Sequence, residues 1–127
     1  MKKAIFFLFS LLFVLQLNAQ KEMAFFNHLI QQEYEQLGLY FGEDINICID
    51  DFEDVLNKGA ALQKLKAFFA SNKPKSFKIK HKGSSKGNQS SYYVSDLNTS
   101  NGDYRLFVYF NKTANSSKIS ELRIESN

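Results

Sequence analysis

The sequence predicts an α+β domain in which helices pack against an antiparallel sheet. Three observations carry that reading. Apolar residues fall at helical spacing in residues 22–40 and 58–71, they alternate with polar ones from Ser76 onward, and Asn101-Gly102 supplies a hairpin signal inside the alternating region. Helices lead and strands trail, whereas an α/β chain alternates the two throughout.

Residues 1–19 stand apart from this pattern and read as a secretory signal peptide. Lys2 and Lys3 precede an apolar run from Ala4 to Leu17, broken only by Ser10 and Gln16, and the small residue Ala19 closes it before Gln20. The run is shorter than the roughly 20 apolar residues that span a bilayer, so no membrane span is expected. The expectation is cleavage near Ala19 and one domain over residues 20–127, enough for one core and too few for two. The chain is then exported, to the periplasm or out of the cell. It holds one Cys, so no internal disulfide can form and the exported fold must rest on its core. Removing Lys2 and Lys3 takes the net charge from +3 to about +1, which names no partner.

The elements follow in order. Met23, Phe26, Ile30, Tyr34, Leu37 and Tyr40 define the face of one helix, or of two short helices in succession, ended by Gly38 and Gly42. Ile45, Ile47 and Ile49 alternate with Asn46 and Cys48 as a β-branched strand, Asp50-Asp51 turns, and Asp54–Asn57 returns as a short strand. Over Lys58–Ser71, Leu62, Leu65, Phe68 and Phe69 share a helical face. Asn72-Lys73-Pro74 ends that helix, because proline cannot continue the hydrogen-bond ladder. Four strands then follow over Ser76–Gly83, Ser91–Asn98, Tyr104–Lys112 and Lys118–Glu125, the first two joined through Lys86-Gly87-Asn88.

Helices, a strand pair, a further helix and a long meander resemble the nuclear-transport-factor-2-like cone. That resemblance implies a curved sheet wrapped around the helices, with room for a pocket inside. Phe68-Phe69, the run Lys75-Ser76-Phe77-Lys78-Ile79-Lys80-His81, the run Thr99-Ser100-Asn101-Gly102-Asp103-Tyr104-Arg105, and Leu122-Arg123-Ile124-Glu125 carry a closer likeness. They are similar to a family of short exported Bacteroidota proteins, domain-of-unknown-function family 4783. The family has no assigned activity, so the resemblance implies the fold and export and no site residue.

Charge is sorted into blocks. Residues 20–54 hold one Lys and nine acids, residues 58–86 hold nine Lys and no acid, and residues 87–127 balance at four and four. Lys78, Lys80 and Lys82 project from one strand face, where lysines keep a sheet soluble and deter edge pairing. The functional alternative is an anionic glycan or lipid headgroup held by summed charge. Nucleic acid is not expected, since the aromatics of that strand point to the opposite face. Asp50, Asp51, Glu53 and Asp54 read as a solvated turn rather than a calcium loop, because Phe52 interrupts them and no Gly sits among them. His28, His81 and Cys48 lack zinc spacing, Cys48 reads as a small buried hydrophobe, and neither metal nor cofactor is expected.

Two residues are candidates for acid/base work inside a cone. His81 shares a strand face with Phe77 and Ile79, so it is expected to point at the core, and Asp96 follows Tyr92 and Val94 on one face. Together with Tyr34, Tyr40 and Tyr92 they are the candidate ligand-binding set. A one-residue slip in register would send Asp96 to solvent instead. Tyr104, Leu106, Val108 and Phe110 occupy one face of a strand whose other face carries Phe107 and Tyr109, a pattern that asks for cover on both sides. The expectation is a homodimer through the outer sheet face, the alternative being that the terminal segments or a twist of the sheet cover those rings. The sequence contains no motif that compels an enzyme. The leading expectation is an exported, non-catalytic module binding a small ligand or a protein partner. An acid/base enzyme and an envelope binder using the lysine stripe are the alternatives.

Overall fold

The computed structural model describes residues 20–85, 87, 89–113 and 116–127. The expected leader over residues 1–19, and Lys86 and Asn88 of the expected turn, lie outside them. Helix α1 covers residues 20–30 and α2 covers Tyr34–Gly38, with Gln32 at φ 57° in the break between them. Strands β1 (Phe41–Ile49) and β2 (Phe52–Asn57) form a hairpin, followed by helix α3 (Lys58–Ser71). Then come β3 (Pro74–Ser84), β4 (Ser90–Thr99), β5 (Gly102–Lys112) and β6 (Ser117–Ser126). No helix among the described residues is long and apolar enough to cross a membrane.

Local chemistry explains the boundaries. The Asn57 side chain caps α3 by accepting from the Ala60 amide at 2.9 Å, and Asn72 closes it by donating its side-chain amide to Phe68 O at 3.0 Å. Ala61, Leu65 and Phe69, four residues apart, form the buried stripe, with Leu62 and Phe68 half-buried beside it. Asp50 takes the positive φ of 48° that the β1–β2 turn demands, a conformation Asp tolerates. Its carboxylate accepts from both the amide and the hydroxyl of Ser126, each at 2.9 Å, tying the turn to the end of β6. Gly102, at φ 123°, sits where the two-residue Ser100-Asn101 loop enters β5, opposite Thr99.

The six strands run in the order β2-β1-β6-β5-β4-β3. All neighbours are antiparallel except β1 and β6, which are parallel, so the sheet is mixed rather than wholly antiparallel as expected. The reason is topological. The first hairpin leaves through α3 and docks beside the last strand, and a connection of that length permits a parallel pair. Ile47 faces Leu122 and Ile49 faces Ile124 across this junction, joining two apolar faces.

The helices cover the sheet's inner face, and the space between is filled. Phe25, Phe26, Phe41, Phe69 and Phe110 are fully buried with Leu97, Leu106, Val108, Ile119 and Leu122. Phe25 meets Phe110 edge-on with centroids 6.2 Å apart, and Tyr93 meets Phe110 edge-on at 5.8 Å. The buried face of α1 is Phe25, Phe26 and Leu29, rotated by about one position from the Met23-Phe26-Ile30 face expected, with Met23 and Ile30 partly buried at its margins.

Candidate functional site

Polar chemistry gathers at one end of this interior, where α1 begins. Glu22, in the first turns of α1, is only 2% exposed and shares a helix face with Phe25, Phe26 and Leu29. The strands beneath answer it. Ser91 and Tyr93 lie two apart on the inward face of β4, and Lys112 ends the inward face of β5. The Ser91 hydroxyl donates to Glu22 Oε2, and Lys112 Nζ lies 3.8 Å from Glu22 Oε1. Tyr93 donates its phenol to the same carboxylate. Burial above all, then the charge of Glu22 and this hydrogen bond, push the phenol up to about 12. A buried carboxylate without such partners would be costly, and here two hydroxyls and an ammonium meet it.

A cavity of about 400 Å³ opens beside this cluster, with Glu22, Lys21, Leu39, Tyr40, Ser117 and Lys118 in its lining. Burial raises the Tyr40 phenol as well. Its ring packs edge-on against Phe25 at 5.6 Å, and its carbonyl accepts from the Ile119 amide at 2.7 Å, which fixes the cavity wall to β6. Lys118 reaches over from β6 and donates to Leu39 O, closing the same wall. The Ser117 hydroxyl is buried and has no hydrogen-bond partner among the described residues. Such an atom is uncommon in a folded protein and asks for a partner.

The sequence candidates are dispersed by comparison. Of the five expected ligand-binding residues, only Tyr40 lines this cavity. Tyr34 is half-buried on α2, accepting from the Gln32 side chain at 3.2 Å. His81 is exposed on the outer face instead of pointing at the core. The cause is a β-bulge: Ile79 pairs with Ser95 but His81 pairs with Val94, so Lys80 is an extra residue and every later side chain changes face. Asp96 also faces outward, half-exposed, with Oδ2 at 3.5 Å from Lys80 Nζ. His81 and Asp96 therefore share the outer face and no interior pocket. Tyr92 stands on that face too, 38% exposed, stacked on Phe107 at 6.1 Å and covering Gly83, where a Cβ would come within 2.5 Å of its ring.

The same bulge divides the lysine stripe. Lys78 pairs with outward-facing Asp96, but Lys82 pairs with inward-facing Tyr93, so the two project from opposite faces and Lys80 sits in the bulge between. Cys48 is buried at 5% exposure, 3.8 Å from Arg123 Nη2. Among the described residues no group of three or more His, Cys, Asp or Glu is placed to hold a metal. Glu22, Ser91, Lys112 and Ser117 were not singled out from the sequence. The one signal for Glu22 was an acid followed by apolar residues three, four and seven positions later.

Comparison with known proteins agrees with this architecture. A family model described as "Domain of unknown function (DUF4783)" matches residues 24–125. A DUF4783 family protein from Bacteroides fragilis YCH46 is 29% identical, with a TM-score of 0.72, over 80% of this chain and 94% of that one. One from Bacteroides ovatus ATCC 8483 is 24% identical, with a TM-score of 0.74, over 80% of this chain and 91% of that one. An NTF2-like protein of unknown function from Cytophaga hutchinsonii ATCC 33406 shares the fold at 8% identity and a TM-score of 0.63, over 87% of this chain and 89% of that one. No curated protein matches the sequence. With the family model covering nearly all of the described domain, the chain belongs to the DUF4783 family and has the nuclear-transport-factor-2-like fold.

Proposed function

We propose that this protein is an exported, non-catalytic binding module that holds a small polar molecule in the cavity beside Glu22. The observation that carries the reading is a cavity of about 400 Å³ whose wall includes Ser117, with its hydroxyl buried and without a hydrogen-bond partner among the described residues. That volume falls in the range of small-molecule sites, and such sites combine apolar walls with a few convergent polar groups. Tyr40 and Leu39 supply the walls, and Ser117, Lys21 and Glu22 the polar groups. Binding is favoured over acid/base catalysis because the Glu22 oxygens are already engaged by Ser91, Tyr93 and Lys112, and because His81 and Asp96 face outward. Export rests on the leader read in residues 1–19.

Native mass spectrometry of the chain purified from its exporting host tests the reading. Wild type retains a small molecule, and Ser117→Leu, which narrows the cavity and removes the hydroxyl, does not. Identical spectra for the two overturn it. The second reading is a homodimer through the outer sheet face, favoured by the exposed Tyr92–Phe107 stack. Phe107→Glu would then halve the mass seen by sedimentation, and an unchanged mass excludes that interface.

A further inference from the structure

The acidic and basic blocks of the sequence end up on opposite edges of the sheet. At one edge is β2, with Glu53 and Asp54 exposed, Asp50 and Asp51 exposed in its turn, and Glu43 and Asp44 exposed on β1 beside it. At the other edge is β3, with Lys75, Lys78, Lys80 and Lys82 exposed and Lys73 exposed just before it. The strand order places five inter-strand steps between them, roughly 24 Å at about 4.8 Å per step. That exceeds the Debye length of about 8 Å at physiological salt, so the blocks do not neutralise each other within one molecule. Among the described residues, Lys80 is the one lysine of this set with an ion-pair partner, Asp96, and none of the six acids has one within 4.0 Å. Lys64 of α3, which stands behind β2, lies over the Phe52 ring at 3.8 Å instead of on an acid.

Each edge is guarded against its own kind. Lysines repel a second β3 edge and acids repel a second β2 edge, which is how edge strands are kept from pairing. Neither guard acts against the opposite edge. We propose that copies of this chain associate head to tail, the acidic β2 edge of one against the lysine-bearing β3 edge of the next. The Asp54 carboxylate already accepts from the Val55 amide at 2.8 Å, so the contact rests on side-chain charge more than on new backbone ladder bonds. Val55, 63% exposed on β2, gives it an apolar centre. The contact joins unlike surfaces, so it repeats into open chains or closes into rings, unlike a two-fold dimer.

Sedimentation over a concentration series tests this at about 10 mM and about 1 M salt, where the Debye length is about 30 Å and about 3 Å. Mass rises with concentration at low salt, and the association constant falls at least about tenfold at high salt. Two neutralised variants separate the edges: Lys75→Ser with Lys78→Ser and Lys82→Ser, and Asp51→Asn with Glu53→Gln and Asp54→Asn. All six positions are exposed, and circular dichroism checks that both variants fold. Each variant alone stays at the mass wild type shows in high salt. Mixed, they form a one-to-one complex through their remaining edges and grow no further. The proposal is overturned if wild type stays at that mass at low salt, if either variant associates as wild type does, or if the mixture forms no complex. A wild type that stays unassociated but binds dextran sulfate through the lysines would instead give the β3 edge to an anionic polymer.

Discussion

The middle of the interior and its Glu22 end are built from the same three elements by opposite chemistry. In the middle, α1 supplies Phe25 and Phe26, β4 supplies Leu97 and β5 supplies Leu106, Val108 and Phe110, all fully buried. At the end, the same helix supplies Glu22, the same β4 face supplies Ser91, and the same β5 face supplies Lys112. Tyr93 belongs to both, with its ring edge-on to Phe110 and its phenol on Glu22. Apolar packing would hold that end without such exact partnering, since a buried ion pair seldom adds stability over a hydrophobic replacement. The switch to polar groups therefore marks where the domain departs from what folding alone requires. The cavity opens at that place.

Truncating the packed middle sharpens the contrast most. Phe110→Ala removes a ring wedged between Phe25 and Tyr93, and should lower unfolding free energy by about 3–5 kcal/mol in a urea titration. A loss below about 1 kcal/mol would show that the middle is loosely packed and that the contrast is false.

The fold class and most elements were legible in the sequence because their signals are local. Asn57 three residues before Ala60, the alternation of Ile45, Ile47 and Ile49, and the glycine at position 102 act within a few residues. The site was less legible because its determinants are pairings. Phe77, Ile79 and His81 alternate without interruption, and the extra residue at Lys80 exists only in the register between β3 and β4. The parallel β1–β6 pair joins segments 75 to 78 residues apart, as in Cys48 opposite Arg123, and neither segment alone carries its direction. Ser117 is a serine near a turn in sequence, and a hydroxyl without a partner among the described residues only once the fold buries it.

Raising the pH breaks the Glu22 end before the middle. The folded Tyr93 phenol titrates at about 12, against 10.0 for an ordinary tyrosine. The unfolded chain thus gives up this proton first, so the stabilisation is complete below pH 10 and is lost as pH rises through 12. Two pH units correspond to about 2–3 kcal/mol. Urea midpoints should fall more steeply over that window for wild type than for Tyr93→Phe, which has no phenol to titrate. Parallel curves for the two would mean that neither burial nor Glu22 raises the Tyr93 phenol in the folded protein.

The smallest change is the most discriminating, because stability and binding should move in opposite directions. The Ser117 hydroxyl is buried without a partner among the described residues, and the desolvation of such a group opposes folding. Ser117→Ala removes that cost, so the variant should be as stable as wild type or more stable by up to about 1 kcal/mol. Ser91→Ala removes a donor from buried Glu22 and should destabilise by about 1–2 kcal/mol. Both changes delete one hydroxyl from the same end of the fold. A serine kept for packing would lose stability in either case. A serine kept for a ligand would lose the retained molecule while the protein becomes no weaker, and thermal unfolding with and without that molecule reads both quantities on one sample.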